Sequence, residues 1–365
     1  MAEARGYRFG WTELAPPIAL AALLLTWGRV PGTVGIIVVA LLLAAAVLAA
    51  VHHAEVVALR VGEPYGSLVL AVAVTVIEVA LILTLMVGSG GEASTLARDT
   101  VFAAVMITTN GIVGLSLLVG AVRHGTTHFN AEGTGAALAT VVTLATTTLV
   151  LPSFTTTTPG PEFSSSQLTF AAVASLLLYL MFVLTQTVRH RDFFLPVTPG
   201  GEILEEDRHA ERPSARWALT GLALLLVSLV AVVGLAKVES KPIEKAVHHL
   251  GLPQAVVGVV IALLVLLPES IAAVRAASRG RTQISLNLGL GSAMASIGLT
   301  IPTIALASVW VSGPLDLGLD PLHIVLLALT ALVGVLTVVP GRATRLQGGV
   351  HLVVLAAYLV LSIQP

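Results

Sequence analysis

The sequence predicts an all-α polytopic membrane protein of about 11 transmembrane helices, one leading helix followed by a five-plus-five inverted repeat. Three observations predict it. Of 365 residues, 56% are hydrophobic and only 11% charged, with a mean hydropathy of +0.95, whereas a soluble domain carries about 25% charge. The apolar runs are Leu/Val/Ala-rich, near the roughly 20 residues of a helical span, and lack the alternation of barrel strands. The basic residues fall unequally on alternate connections, as the positive-inside rule requires.

The elements follow in order. Residues 14–29 come after Arg5 and Arg8 and end in Trp27-Gly28-Arg29; with no small-residue cleavage site they read as a helix rather than a signal peptide. The spans 33–51, 67–88, 100–122, 134–151 and 167–188 come next. A hydrophilic stretch from Arg189 to Arg216 holds Glu202, Glu205, Glu206, Asp207 and Glu211, without the alternating spacing of an EF-hand loop. Beyond it lie 216–237, 253–274, 284–311, 321–339 and 346–363. With eleven spans, 14 of the 19 basic residues lie on the amino-terminal side. The expectation is an inner (cell) membrane protein with a cytoplasmic N-terminus and an outward C-terminus.

Residues 1–30 thus form a tail and leading helix, 31–188 a first five-helix repeat, 189–215 a cytoplasmic acidic loop, and 216–365 a second repeat. An odd number of helices per repeat inverts the second against the first, the design of many secondary transporters. The halves echo one another: Gly114-Leu115-Ser116 lies in the third helix of one, Gly298-Leu299-Thr300 in the third of the other.

Two acids stand mid-span, Glu78 in the third span and Glu269 in the eighth; the other 18 fall in loops or near helix ends. A charge at the bilayer centre costs about 2.5–3.5 kcal/mol on insertion scales and marks function. Glu78 and Glu269 each occupy the second helix of a five, so inverted symmetry brings them together near the midplane. Desolvated carboxyls hold protons more tightly, and carboxylate oxygens suit hard cations such as Ca²⁺, Na⁺ or Mg²⁺. Two carboxylates neutralise one Ca²⁺, and two protons replace it. Pro268, immediately before Glu269, withholds a backbone donor and loosens the helix one turn earlier, where the carbonyls of Leu264 and Val265 are candidate ion ligands. Thr75 lies one turn before Glu78. Ser292 and Ser296 belong to a small-residue stripe with Ser285, Gly289 and Thr300, a pattern that serves helix packing as readily as ligation. Asn110 is a mid-span amide; Asn287, on another face of the ninth span, joins the stripe only if that helix breaks. His52, His53, Glu55 and Glu63 read either as a solvated helix end or as a cytoplasmic vestibule.

These residues carry a family resemblance. Val51-His52-His53-Ala54-Glu55, Gly62-Glu63-Pro64-Tyr65-Gly66 and Val76-Ile77-Glu78-Val79, with Leu267-Pro268-Glu269, Asn287 and Gly291-Ser292 through Pro302, resemble the bacterial ChaA-type Ca²⁺/H⁺ antiporters of the cation/Ca²⁺ exchanger superfamily. The resemblance implies a five-plus-five inverted repeat with Glu78 and Glu269 as shared Ca²⁺/H⁺ ligands. Val74-Thr75 and Val265-Leu266 replace that superfamily's Gly-Asn pair. Na⁺/H⁺ or K⁺/H⁺ exchange on the same fold is the alternative.

Other classes fit less well. A net charge of −1 with scattered basic residues argues against a nucleic-acid partner. Zero cysteines exclude thiolate metal sites and Cys nucleophiles. An intramembrane hydrolase lacks its motif, since Leu117 follows Gly114-Leu115-Ser116 and His52-His53 has no zinc-protease spacing. A cation channel would pair oligomeric symmetry with a ring of charge. The expected partners are inorganic cations, protons and the lipid bilayer, with no cofactor and no enzymatic activity.

Overall fold

The computed structural model describes residues 10–29, 31–62, 73, 75–84, 94–198, 200, 202–203, 213–253, 255–310 and 315–364. A helix occupies each predicted span: α1 (Trp11–Thr26), α2 (Thr33–Val61), α3 (Thr75–Thr84), α4 (Leu96–His124), α5 (Ala131–Phe154), α6 (Ser165–Arg189), α7 (Ala215–His249), α8 (Ala255–Ser278), α9 (Thr282–Ala307), α10 (Pro321–Val338) and α11 (Arg345–Ile363). Among the described residues, nine are long and apolar enough to cross a membrane, while α1 and α3 are shorter apolar helices. Many large apolar side chains, such as Leu24, Leu41, Leu177 and Val353, face outward. In water such a surface would drive association; in a bilayer it meets lipid.

Two helices outrun their hydropathy. α2 continues past Val51 to Val61, where Gly62 adopts φ +79° and returns its N–H to Ala58 O, a left-handed stop that suits glycine. α7 continues past Lys237 to His249. In α2, Ala54, Glu55, Ala58, Leu59 and Arg60 are good helix formers that extend the backbone ladder beyond the apolar run, whereas α7 continues through Pro242. Other ends are capped by side chains, with capping boxes at Ser164/Gln167 and Thr344/Gln347 and N-caps at Asn130 and Asp320.

The chain forms two compact units, neither of which is a linear half. The first holds α1, α2, α3 and α7 as far as Pro242. Here α1 packs on α2, where His53 Nε2 meets Thr12 O at 2.9 Å. Gly234 lets α7 close on Leu23 of α1, and Gly221 sets α7 against Val56 of α2. The Lys237 ammonium lies over the Trp27 ring, 5.3 Å from its centroid.

The second unit is built around α4 and α9. α4 packs on α11, where a Cβ on Gly114 would stand 2.8 Å from His351 Cβ and one on Gly348 2.8 Å from Gly114 O. α9 packs on α6, where a Cβ on Gly298 would stand 2.6 Å from Tyr179 Cβ. Small residues permit such close approach in membrane helices. In each crossing the third helix of one half meets the fifth of the other through the matched glycine, so the echoed tripeptides are packing elements with two-fold logic. The connections divide into two sets. At one end, Thr127–His128 pairs antiparallel with Arg342–Ala343, His124 reaches Ser278 O, and Asn130 N–H donates to Gln283 Oε1. At the other, Asp316 N–H donates to Ser94 O, Gly318 N–H to Pro161 O and Leu319 N–H to Leu149 O. This is the alternation that the arginine count demanded, and the first set is the arginine-rich face.

Candidate functional site

In the first unit Glu78 lies on α3 at 3% exposure, with Thr75 one turn earlier at 5%. Ile77, Val79, Leu81 and Ile82 are buried around it, while Val76 is 44% exposed. The apolar run makes the helix; the one acid within it is held away from water, where an ionised carboxylate is strongly disfavoured unless a cation or proton joins it.

In the second unit Glu269 is 9% exposed on α8, which stays helical through Pro268. Pro268 has no N–H for the carbonyl of Leu264, so that oxygen lacks its helical donor. The turn 279–281 returns the chain as α9, which packs back on α8. Ser292 is half-buried and Ser296 is 2% exposed. Eleven residues from Glu269, nearer the start of α8, α4 packs on that helix, where Gly258 admits the backbone of Asp99 and Thr100. Opposite Gly289 of α9, α4 forms a π-turn over Ile107–Ile112, an irregularity frequent at functional sites. Elsewhere the stripe packs: Ser285 Oγ donates to Ala273 O and accepts from the Ser116 hydroxyl.

Several expected site residues are placed otherwise. Asn110, 0% exposed, gives Nδ2 to Thr330 Oγ1 at 2.9 Å and receives His351 Nδ1 on Oδ1 at 3.1 Å. His351 Nε2 pairs with Thr337 Oγ1 at 3.1 Å, beside a cavity of about 20 Å³, room for one water. Asn110 is thus a bolt joining α4, α10 and α11 rather than a displayed amide. Asn287 is committed too, donating to Phe194 O at 2.7 Å and accepting from Gln283 Nε2 at 2.8 Å. α9 does not break, so Asn287 never reaches the stripe. His53 is 1% exposed and bound to α1, which removes it from a vestibule; His52 is half-buried and Glu55 exposed. Glu63 and most of the acidic loop lie outside the described residues.

Two buried acids were missed. Glu239, expected at the edge of a loop, is 2% exposed within α7. No local signal announced it, because Ser240-Lys241-Pro242 reads as a helix end and the helix nevertheless runs through Pro242. Asp99, 6% exposed, pairs with Arg98 at 2.8 Å. His323, near a span end, closes on Asp320 at 2.6 Å.

Residues 31–188 and 220–364 match the sodium/calcium exchanger protein family. A proposed ionic transporter, y4hA of Sinorhizobium fredii, is 48% identical over 329 residues, 89% of this chain and 87% of that one. The sodium-potassium/proton antiporter ChaA of Escherichia coli is 33% identical over 98% of both chains. The solved structure of native YfkE shares the fold, with a TM-score of 0.71 and 15% identity across 97% of this chain and 99% of that one. The chain is a member of the sodium/calcium exchanger family and carries its all-helical membrane fold.

Proposed function

We propose that the protein exchanges cytoplasmic Ca²⁺ for protons by alternating access, with Glu78 and Glu269 holding either the ion or protons. The observation that carries this reading is one buried acid in the second helix of each half. Two carboxylates match the charge of one Ca²⁺, so ion and proton pair compete for the same oxygens. Thr75, Ser292 and Ser296 supply neutral oxygens nearby; Asn110 and Asn287, with their amides engaged, leave the ligand set. The repeats run over 31–188 and 216–365, which the two family-matched segments support. The arginine-rich face is cytoplasmic by the positive-inside rule, in the inner membrane.

A second reading, Na⁺ or K⁺ exchange for protons at the same acids, is favoured by one observation: the 33% identical relative is named a sodium-potassium/proton antiporter. One experiment separates them. Titrating detergent-solubilised protein with each cation while following a pH indicator should release about two protons per Ca²⁺. Release by Na⁺ or K⁺ with none by Ca²⁺ selects the second reading; no release by any of them defeats both.

A further inference from the structure

Three acids of the first unit differ in burial and in their place along their helices. Glu55 is exposed near the end of α2, Glu78 is buried in α3, and Glu239 is buried near the far end of α7. The packing of α7 on α2 sets the scale. Gly221 sits against Val56, the neighbour of Glu55, with a Cβ position 3.3 Å from its side chain. Glu239 lies eighteen residues further along α7, about 27 Å at 1.5 Å per residue. The hydrocarbon core is roughly 30 Å thick. Glu55 and Glu239 therefore mark opposite mouths of the membrane.

They also hold matching places in the two halves. Glu55 comes 22 residues after the start of α2, and Glu239 comes 24 after the start of α7; these are the first helices of the two fives. The interval between them, 184 residues, equals that between Gly114 and Gly298. In one respect the mates differ: Glu55 is exposed, whereas Glu239 is 2% exposed. Its Oε1 meets no hydrogen-bond partner among the described residues, and Lys237, two residues away, lies over Trp27. An acid kept purely for structure would be satisfied where it is buried. One that opens to water in another state need not be.

We propose that Glu239 is a cation-capturing site at the mouth opposite the arginine-rich face, the inverted counterpart of Glu55, and that it becomes exposed when that mouth opens. The inference rests on the alternating-access reading above. Its ligand is a hard monovalent or divalent cation, drawn in by one poorly solvated carboxylate.

The chain contains no cysteine, so single cysteines report without background. Glu239→Cys, Glu55→Cys and, as an exposed control, Thr157→Cys would be probed in sided membrane vesicles with a membrane-impermeant thiol reagent. Glu239→Cys should react only from the face opposite the arginine-rich one, several-fold faster when the cation and pH gradients are reversed. Glu55→Cys should react only from the arginine-rich face. Absence of reaction at 239 under every gradient, with Thr157→Cys fully modified, overturns the proposal, as does reaction from the arginine-rich face. This readout needs no transport, so it stands apart from a failure of the exchange reading. Where exchange is measured, Glu239→Gln should raise the apparent KM for the cation on its own side about three- to tenfold at low ionic strength. Glu239→Asp should restore it, and the KM on the opposite side should not move. Equal shifts on both sides, or none, contradict the assignment.

Discussion

Replacing Asn110 by alanine separates a structural bolt from an ion ligand. In the folded protein Asn110 Oδ1 accepts from His351 Nδ1 at 3.1 Å and its Nδ2 donates to Thr330 Oγ1 at 2.9 Å. Since an amide oxygen only accepts, the imidazole carries its proton on Nδ1, and alanine removes that side-chain acceptor and leaves the Thr109 backbone carbonyl beside the ring. His351 is 2% exposed, so no bulk water compensates. A buried donor that loses its acceptor costs about 1–3 kcal/mol. Thr330 suffers less, because its hydroxyl still donates to Leu326 O at 2.8 Å. Interhelical hydrogen bonds in membranes average about 0.6 kcal/mol, with a maximum near 1.7. The expected loss is therefore about 2 kcal/mol, concentrated where α4, α10 and α11 meet. Thermal unfolding of detergent-solubilised protein, followed by the monodisperse fraction, should show the midpoint fall by several degrees. Exchange at low temperature should keep its apparent KM. An unchanged midpoint with a raised KM would refute the reasoning and return Asn110 to the ligand set.

Two further perturbations test the packing and the loops. Gly348→Ala and Gly298→Ala should each destabilise by about 1–3 kcal/mol, because the added carbon meets Leu118 N and Gly114 O in one case and Tyr179 in the other; a midpoint equal to wild type for both would contradict the crossing geometry. In the α5–α6 connection, burial and the neighbouring Asp316 carboxyl, which also hydrogen-bonds it, hold the Glu162 pKa above the ordinary glutamate range. The folded protein thus keeps this proton more tightly than the unfolded chain, and stability falls as pH rises through the interval between the two values. Glu162→Gln should be more stable than wild type above that interval and equal to it at lower pH; the opposite order in pH-dependent unfolding would refute the pairing.

Much of the fold was legible because lipid makes a single demand. Each apolar run had to become a helix, and each connection had to fall on a defined side. Glu78 and Glu269 were legible for the same reason, since an acid inside an apolar run has no ordinary explanation. Partnership was not legible. Asn110 finds Thr330 and His351 across 220 and 241 residues, and Asn287 finds the backbone of Phe194; a local pattern shows the amide and not what occupies it. Helix ends were misjudged where hydropathy and helix formation part company. α7 was cut at Lys237, whose charge is carried beside Trp27 while the backbone ladder continues, so Glu239 was counted with the loops. The glycines of the two tripeptides were seen as an echo, but their use, helix crossings related by the inversion, needed the packing.

The most direct test of the central claim is cation flux in reconstituted vesicles under an imposed pH gradient, with wild-type protein, Glu78→Gln and Glu269→Gln. Glutamine keeps the shape of each side chain and removes its exchangeable charge. Wild-type protein should accumulate Ca²⁺, or Na⁺ and K⁺ on the second reading, only while protons move the other way. Each variant should insert and unfold like wild type yet show no coupled flux. Cation movement that ignores the pH gradient, or wild-type rates in either variant, would contradict the account.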